Sequence, residues 1–427
     1  MKRKIVLSLI FLTLMLFVLS ISAFSGEKIT LNMVQVFTSP QRTQLLQNII
    51  KKFEAKYPDV KIKLISPPYE SAYQKVYLML STKQPLDIVE VGDWSLEGVV
   101  QLGKMENLEP YIAKWKGASD LIPGLLNSVR VTEGKAYIIP NGVYAKTLFV
   151  RPDVVAKYGI TKVPGTMNEL YDYAKKITDP SKNQYGFDFR GKGYPTAFID
   201  TVVASFIDDI DPSNMYKLKN GKLWFKDPRA LKGLKLYVKL YKDTAPKDAI
   251  NWGFDEQVNA FVAGITPYLF QDPDTTGLLK NLLKDGQYIT APLPVGPSGK
   301  VYPSYGFGGW GITNYSKHKD LAWEFIKFFT TPEISAYFCK EYGALPVLKS
   351  VFKNDPYFNG GVFEGWKKMF ENPEKYVFTS YPLANPAWPK WTQFQGDTMQ
   401  QALLGKISLE ELTTKWENYW KKAFGMK

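Results

Sequence analysis

The sequence predicts an α/β protein of two lobes, each built on a doubly wound sheet. Residues 29–93 run strand, helix, strand, helix, strand, the order that builds a parallel sheet with helical crossovers. The middle of the chain keeps the same rhythm. A length of 427 residues, 45% of them hydrophobic and 22% charged, gives each of two domains enough chain to bury a core.

Ile29 to Phe37 alternates apolar and polar residues, as a half-buried strand does. Ser39-Pro40 then supplies an N-cap and a first-turn proline. Leu45, Leu46, Ile49, Ile50 and Phe53 follow at helical spacing, and Tyr57-Pro58-Asp59 ends that helix. Val60 to Ile65 is the second strand, Tyr69 to Leu80 a helix, and Leu86 to Val91 a third strand ending at Gly92-Asp93-Trp94. Thr166 with Glu169 forms a capping box for a helix to about Ile177. Tyr185 to Phe189 and Thr266 to Phe270 read as strands, Pro195 to Phe206 as a buried helix, and Glu256 to Ala263 as a short one closed by Gly264. Lys219-Asn220-Gly221-Lys222 is a hairpin turn. Residues 292–304, rich in Pro and Gly, form a long loop or crossover, and Ser408 with Glu411 opens a last helix to about Phe424.

Composition excludes several chemistries. A lone Cys339 forms no intrachain disulfide or multi-cysteine zinc site, and a lone His318 supports no two- or three-histidine metal centre. His318 lies between Lys317 and Lys319, a poor place for a general base. Gly306-Phe307-Gly308-Gly309-Trp310-Gly311 satisfies G-x-G-x-x-G but runs into Ile312-Thr313-Asn314 instead of opening a helix, so it reads as a strand, not a dinucleotide loop. No phosphate loop and no G-x-S-x-G elbow is present. Carboxylate-pair catalysis stays open, with Asp93, Asp208, Asp209, Asp272 and Asp274 as possible members, because such pairs meet only in the fold.

Three of the +13 formal charges are Lys2, Arg3 and Lys4, which precede an apolar run from Ile5 to Ala23. Residues 1–25 therefore read as a secretory signal cleaved after Ser25, with an uncleaved membrane anchor as the alternative. No Cys follows the run, so lipid attachment there is excluded. The remaining cations are nearly all scattered lysines, with only Arg42, Arg130, Arg151, Arg190 and Arg229 beside them, unlike the clustered cations and arginines of nucleic-acid sites. No nucleic-acid partner is expected.

The 63 aromatic residues ask for an explanation. Phe325, Phe328 and Phe329 lie on an amphipathic helix and are core. Trp94, Tyr144, Trp252, Trp310, Trp388 and Trp391 fall instead at strand ends and in loops. Ligands of open α/β sheets bind beyond the carboxyl ends of the strands. Flat rings there suit the apolar face of a sugar, with neighbouring Asp, Asn and Gln taking its hydroxyls. The competing explanation is that these rings pack loops.

Several segments carry a family resemblance. Phe53-Glu54-Ala55-Lys56-Tyr57-Pro58, Leu86-Asp87-Ile88-Val89 and Phe261-Val262-Ala263-Gly264 resemble motifs of the extracellular solute-binding proteins that feed carbohydrate ABC importers, the maltose/trehalose-binding type. Gly308-Gly309-Trp310, Ser316-Lys317 and Ala322-Trp323-Glu324-Phe325-Ile326-Lys327-Phe328 resemble that family's most specific signature, followed by Gly343-Ala344-Leu345-Pro346-Val347 and Gly405-Lys406-Ile407-Ser408. The resemblance implies a periplasmic-binding-protein type II fold. It places an N-terminal lobe at 26–140 plus 306–342 and a C-terminal lobe at 146–302 plus 346–427, with hinges near 140–146, 302–306 and 343–346.

Carried over by position, Trp310 would stack on the sugar, Gly308 and Gly309 would let it approach, and Tyr144 would contact it. Gln271-Asp272 replaces a family Asn-Trp pair, and Gln44 stands where some members use an acid, so polar contacts are expected there. The expected ligand set is Gln35, Thr38, Gln44, Asp93, Trp94, Tyr144, Trp252, Gln271, Asp272, Tyr305, Gly308, Gly309, Trp310, Trp388 and Trp391. The resemblance implies a monomer, periplasmic or extracellular, that binds a mono- or oligosaccharide without catalysis, cofactor or metal and passes it to an ABC permease. The alternatives are a secreted carbohydrate-active enzyme using two carboxylates, or the same fold holding a non-sugar solute.

Overall fold

The computed structural model describes residues 28–130, 134–383 and 385–426. The expected leader, residues 1–25, lies outside them. No helix among the described residues is long and apolar enough to cross a membrane.

Among the described residues, eleven strands form two main sheets and a hairpin. The first sheet has the order β2-β1-β3-β11-β4, from Val60–Ile65, Ile29–Val34, Ile88–Gly92, Tyr305–Ile312 and Ile139–Ala145. Strands β1, β2 and β3 are parallel, while β11 runs antiparallel between β3 and β4. Central β3 is buried at every position and edge strand β2 alternates buried with exposed, as burial on two faces or one requires. The second sheet has the order β10-β5-β9-β6, from Ile289–Ala291, Thr147–Val150, Tyr268–Gln271 and Phe187–Asp188. Strands β7 (Ile210–Asp211) and β8 (Asn214–Leu218) make the small hairpin.

The register fixes how the two sheets meet. Ala145, the end of β4, pairs with Tyr305 at the edge of the first sheet where parallel β1 and β3 have their carboxyl ends. Thr147, the start of β5, pairs with Gln271 at the carboxyl end of β9. Only Lys146 separates those two strands, so the chain steps directly from one carboxyl edge to the other. The indole of Trp366 donates to the Ala145 carbonyl (2.6 Å) and holds that step.

Residues 140–145 lie in β4 of the first sheet, whose pairing with β11 shifts register between Gly308 and Gly309, and Lys146 alone links β4 to β5. Val347 to Ser350 bonds to the segment before β4: the Val347 carbonyl accepts from the Ile122 amide (3.0 Å) and the Ser350 amide donates to Asp120 (2.9 Å).

Most of the aromatic surplus is core. Trp224, Trp310, Trp366, Trp388, Trp391, Trp416 and Trp420, seven of the eleven tryptophans, are fully buried. Trp388 and Trp391 open helix Trp388–Leu403, where Pro389 is a first-turn proline instead of a loop former. One turn apart, they face the same side and pack with Tyr216, Tyr381 and Trp420.

Beneath this cluster lies buried Asp200, which accepts from the Tyr216 hydroxyl (2.9 Å) and the Gln395 amide (2.8 Å). Burial pushes its carboxyl up from 3.8 to about 7. The folded state thus holds a proton that the unfolded chain releases above pH 3.8, and stability falls as pH rises from about 4 to about 7. Urea melts at pH 5 and pH 8 should show a smaller stability difference for Asp200→Asn than for the native chain. An unchanged difference would assign the effect elsewhere.

Candidate functional site

Beyond the carboxyl edge of the first sheet, four aromatic residues converge. The β1 loop turns at Phe37, whose ring stacks on Tyr144 (centroids 5.4 Å, 29° between planes) and meets the edge of Trp94 at 5.0 Å. Tyr342, ending helix Pro332–Tyr342, completes the wall against Tyr144 at 6.2 Å. All four are half-buried. Trp94 and Asp93 sit in the first turn of helix Asp93–Val100, directly after β3.

The carboxyl edge of the second sheet faces this wall. Asp272 follows β9 and pairs with Lys146 at 2.8 Å, and Asp274 opens helix Asp274–Leu282. Arg190 donates to Gln257 (3.0 Å) and the Lys192 carbonyl (2.8 Å), and lies over the Phe198 ring. Tyr194 is held at φ +68°, a conformation that costs a non-glycine residue about 1–3 kcal/mol and tends to gather at functional sites.

Carboxylates from both edges act on the same two phenols. Tyr69, just after β2, and Tyr194 are 54% and 39% exposed, yet each phenol is raised first by surrounding protein and then by carboxylates of both halves. For Tyr69 those are Asp274, Asp272 and Asp93; for Tyr194, Asp93, Asp200 and Asp272. A group open to water and still ringed by protein lies on a cleft wall. Burial also lifts the Asp93 carboxyl to about 7, against amide hydrogen bonds from Trp94 and Phe307 that stabilise its charged form. Asp274 is raised by burial and by neighbouring Asp272, with Lys146 opposing.

The structure sorts the expected ligand set by these positions. Asp93, Trp94, Tyr144 and Asp272 line the cleft. Thr38 and Gln44 line a hollow of about 560 Å³ that continues from it past Ser66 and Tyr69. Trp310 does not reach the cleft: it pairs with Glu90 in mid-sheet, is 1% exposed, and packs edge-on against Phe325 and Phe329. The flanking glycines serve packing too. A Cβ on Gly309 would lie 2.7 Å from the Ile139 carbonyl, and one on Gly308 would lie 2.6 Å from the Phe37 ring. Gly308 thus makes room for a cleft aromatic, not for a ligand.

Trp388 and Trp391 belong to the second core and are likewise withdrawn from the cleft by full burial. Gln35 is buried and saturated, donating to Thr43 and Ser66 (2.7 Å each) and accepting from Arg42 (2.9 Å). Gln271 is buried and donates to Gln257 (3.3 Å). The Tyr305 hydroxyl accepts from Ser380 and pairs with Ser128, both at 3.0 Å, so it ties the halves together. Trp252 donates its indole N–H to Asp248 (3.1 Å), and its carbonyl braces Gly191 and Lys192 next to Arg190. Of the other carboxylates weighed for catalysis, Asp208 and Asp209 are paired with Arg229. Among the described residues no group of three or more His, Cys, Asp or Glu could hold a metal ion.

Sequence reasoning missed Phe37, Tyr69, Arg190, Tyr194 and Tyr342 as cleft residues. Only Phe37 carried a signal, since an apolar residue between a strand end and an N-cap serine has no regular core to face.

Two doubly wound sheets meeting carboxyl edge to carboxyl edge around a lined cleft define the periplasmic-binding-protein type II fold. The family model for bacterial extracellular solute-binding proteins matches residues 39–336, and the chain belongs to that family. It is 24% identical to a maltotriose-binding protein of Pyrococcus abyssi over 361 residues, 82% of this chain and 73% of the relative. It is 23% identical to a galactooligosaccharide-binding protein of Bacillus subtilis over 329 residues, 75% of this chain and 74% of that one. Among solved structures, maltose-bound MalE3 of T. maritima superposes with a TM-score of 0.77 at 22% identity, covering 93% of this chain and 98% of that one.

Proposed function

We propose that this protein binds a mono- or oligosaccharide in the cleft and delivers it to an ABC permease without transforming it. The observation that carries the proposal is the wall of Phe37, Trp94, Tyr144 and Tyr342 opposed by Asp272 and Asp274. Rings take the apolar face of a sugar, and carboxylates and phenols take its hydroxyls, both strengthened as closure expels water. The relatives named for maltotriose and galactooligosaccharides support a saccharide over other solutes. The two sheets would be the cores of two lobes closing about Lys146, the protein would act as a monomer, and the basic, apolar leader would export it.

A thermal-shift screen of mono-, di- and oligosaccharides tests the proposal, since a bound sugar raises the melting midpoint by mass action. No shift across a broad panel would sink it. Trp94→Ala should weaken binding of the responding sugar by more than ~1 kcal/mol by calorimetry. Recovery of that sugar unchanged after prolonged incubation separates binding from hydrolysis.

A further inference from the structure

The β1 loop that carries Phe37 is fastened by a charge pair, Arg42 from helix Pro40–Lys56 and Glu90 from β3 of the first sheet. Arg42, 1% exposed, and Glu90, 0% exposed, meet in a two-pronged ion pair, with Nη1 to Oε2 at 3.0 Å and a shorter contact between Nη2 and Oε1. Each partner also grips the loop. Arg42 Nη1 donates to the Phe37 carbonyl (3.1 Å), and Glu90 Oε2 accepts from the amides of Val36 (2.9 Å) and Phe37 (3.4 Å). Asn141 of β4 donates to Glu90 Oε1 (2.8 Å). The guanidinium lies against the rings of Tyr342, Phe338 and Phe37, at 5.0, 5.4 and 5.5 Å.

A buried ion pair adds little net stability, because desolvation offsets the attraction and apolar residues of similar volume often do as well. What an apolar pair cannot do is hold a carbonyl and two amides of a loop at fixed positions. We infer that Arg42 and Glu90 are positioning residues for binding: they hold Phe37 against Tyr144 and Trp94, so that the aromatic wall exists before the ligand arrives. The inference rests on the cleft reading proposed above. A loop already ordered in the free protein spares the cost of ordering it on binding.

Arg42→Lys keeps the charge and most of the volume but loses the planar fork, so one ammonium must replace several directed bonds. Hydrogen exchange of the unliganded protein should quicken at residues 35–38 while β2 stays protected. Affinity for maltotriose should fall about 3- to 10-fold, the loss expected for re-ordering one side chain and its loop. Phe37→Ala should also weaken binding, and adding Arg42→Lys to it should cost nothing further, because the arginine acts through Phe37. Unchanged exchange at 35–38, or losses that simply add, would overturn the inference. Quickened local exchange with no maltotriose binding by the native chain would support the fastening and count against the saccharide reading.

Discussion

Trp310→Ala is expected to lower folding stability by about 3–5 kcal/mol, the usual loss for a fully buried aromatic whose site cannot collapse. The ring packs between β11 and helix Lys319–Phe329, edge-on to Phe325 and Phe329. Saccharide affinity per folded molecule should change little, since Asp93, Trp94 and Tyr144 sit at the sheet edge and Trp310 lies two positions inside it. Urea denaturation followed by circular dichroism gives the first quantity and calorimetry the second. Selective loss of binding with stability intact would return Trp310 to the ligand.

Glu90→Ala should be comparably damaging, at about 3–5 kcal/mol, because it leaves the Arg42 guanidinium buried without its anion. The same substitution removes the acceptor for the amides of Val36 and Phe37 and for Asn141. Replacing both partners with apolar residues, Arg42→Met with Glu90→Leu, should recover much of that stability. It should not recover binding, because the Phe37 loop would still lack its fastening. Parallel melts and titrations of the single and double variants check this. A double variant that binds as well as the native chain would show the pair to be packing alone.

These two residues also mark how far the sequence could be followed. Strand and helix order from Ile29 to Trp94 was legible because alternation, the Ser39 cap and the Tyr57-Pro58 stop act over a few residues. The capping box at Thr166 and the N-cap at Ser408 were legible for the same reason. Of the residues expected to hold a ligand, Asp93 and Trp94 stand after β3, Tyr144 near the end of β4 and Asp272 after β9. The glycine-rich setting of Trp310 and the proline-rich setting of Trp388 and Trp391 suggested exposure. In fact those glycines admit close backbone packing, and that proline starts a helix.

The sequence by itself determined the class of fold and the family, since both depend on local periodicity or on short motifs, and it placed several polar and aromatic residues at one strand edge. Only the tertiary structure decided which rings face that edge. Burial of a strand residue depends on which partner lies across the sheet and what covers each face. Trp310, opposite Glu90 in mid-sheet, is therefore core, while Phe37, in a loop held by a pair of charges from elsewhere in the chain, is wall.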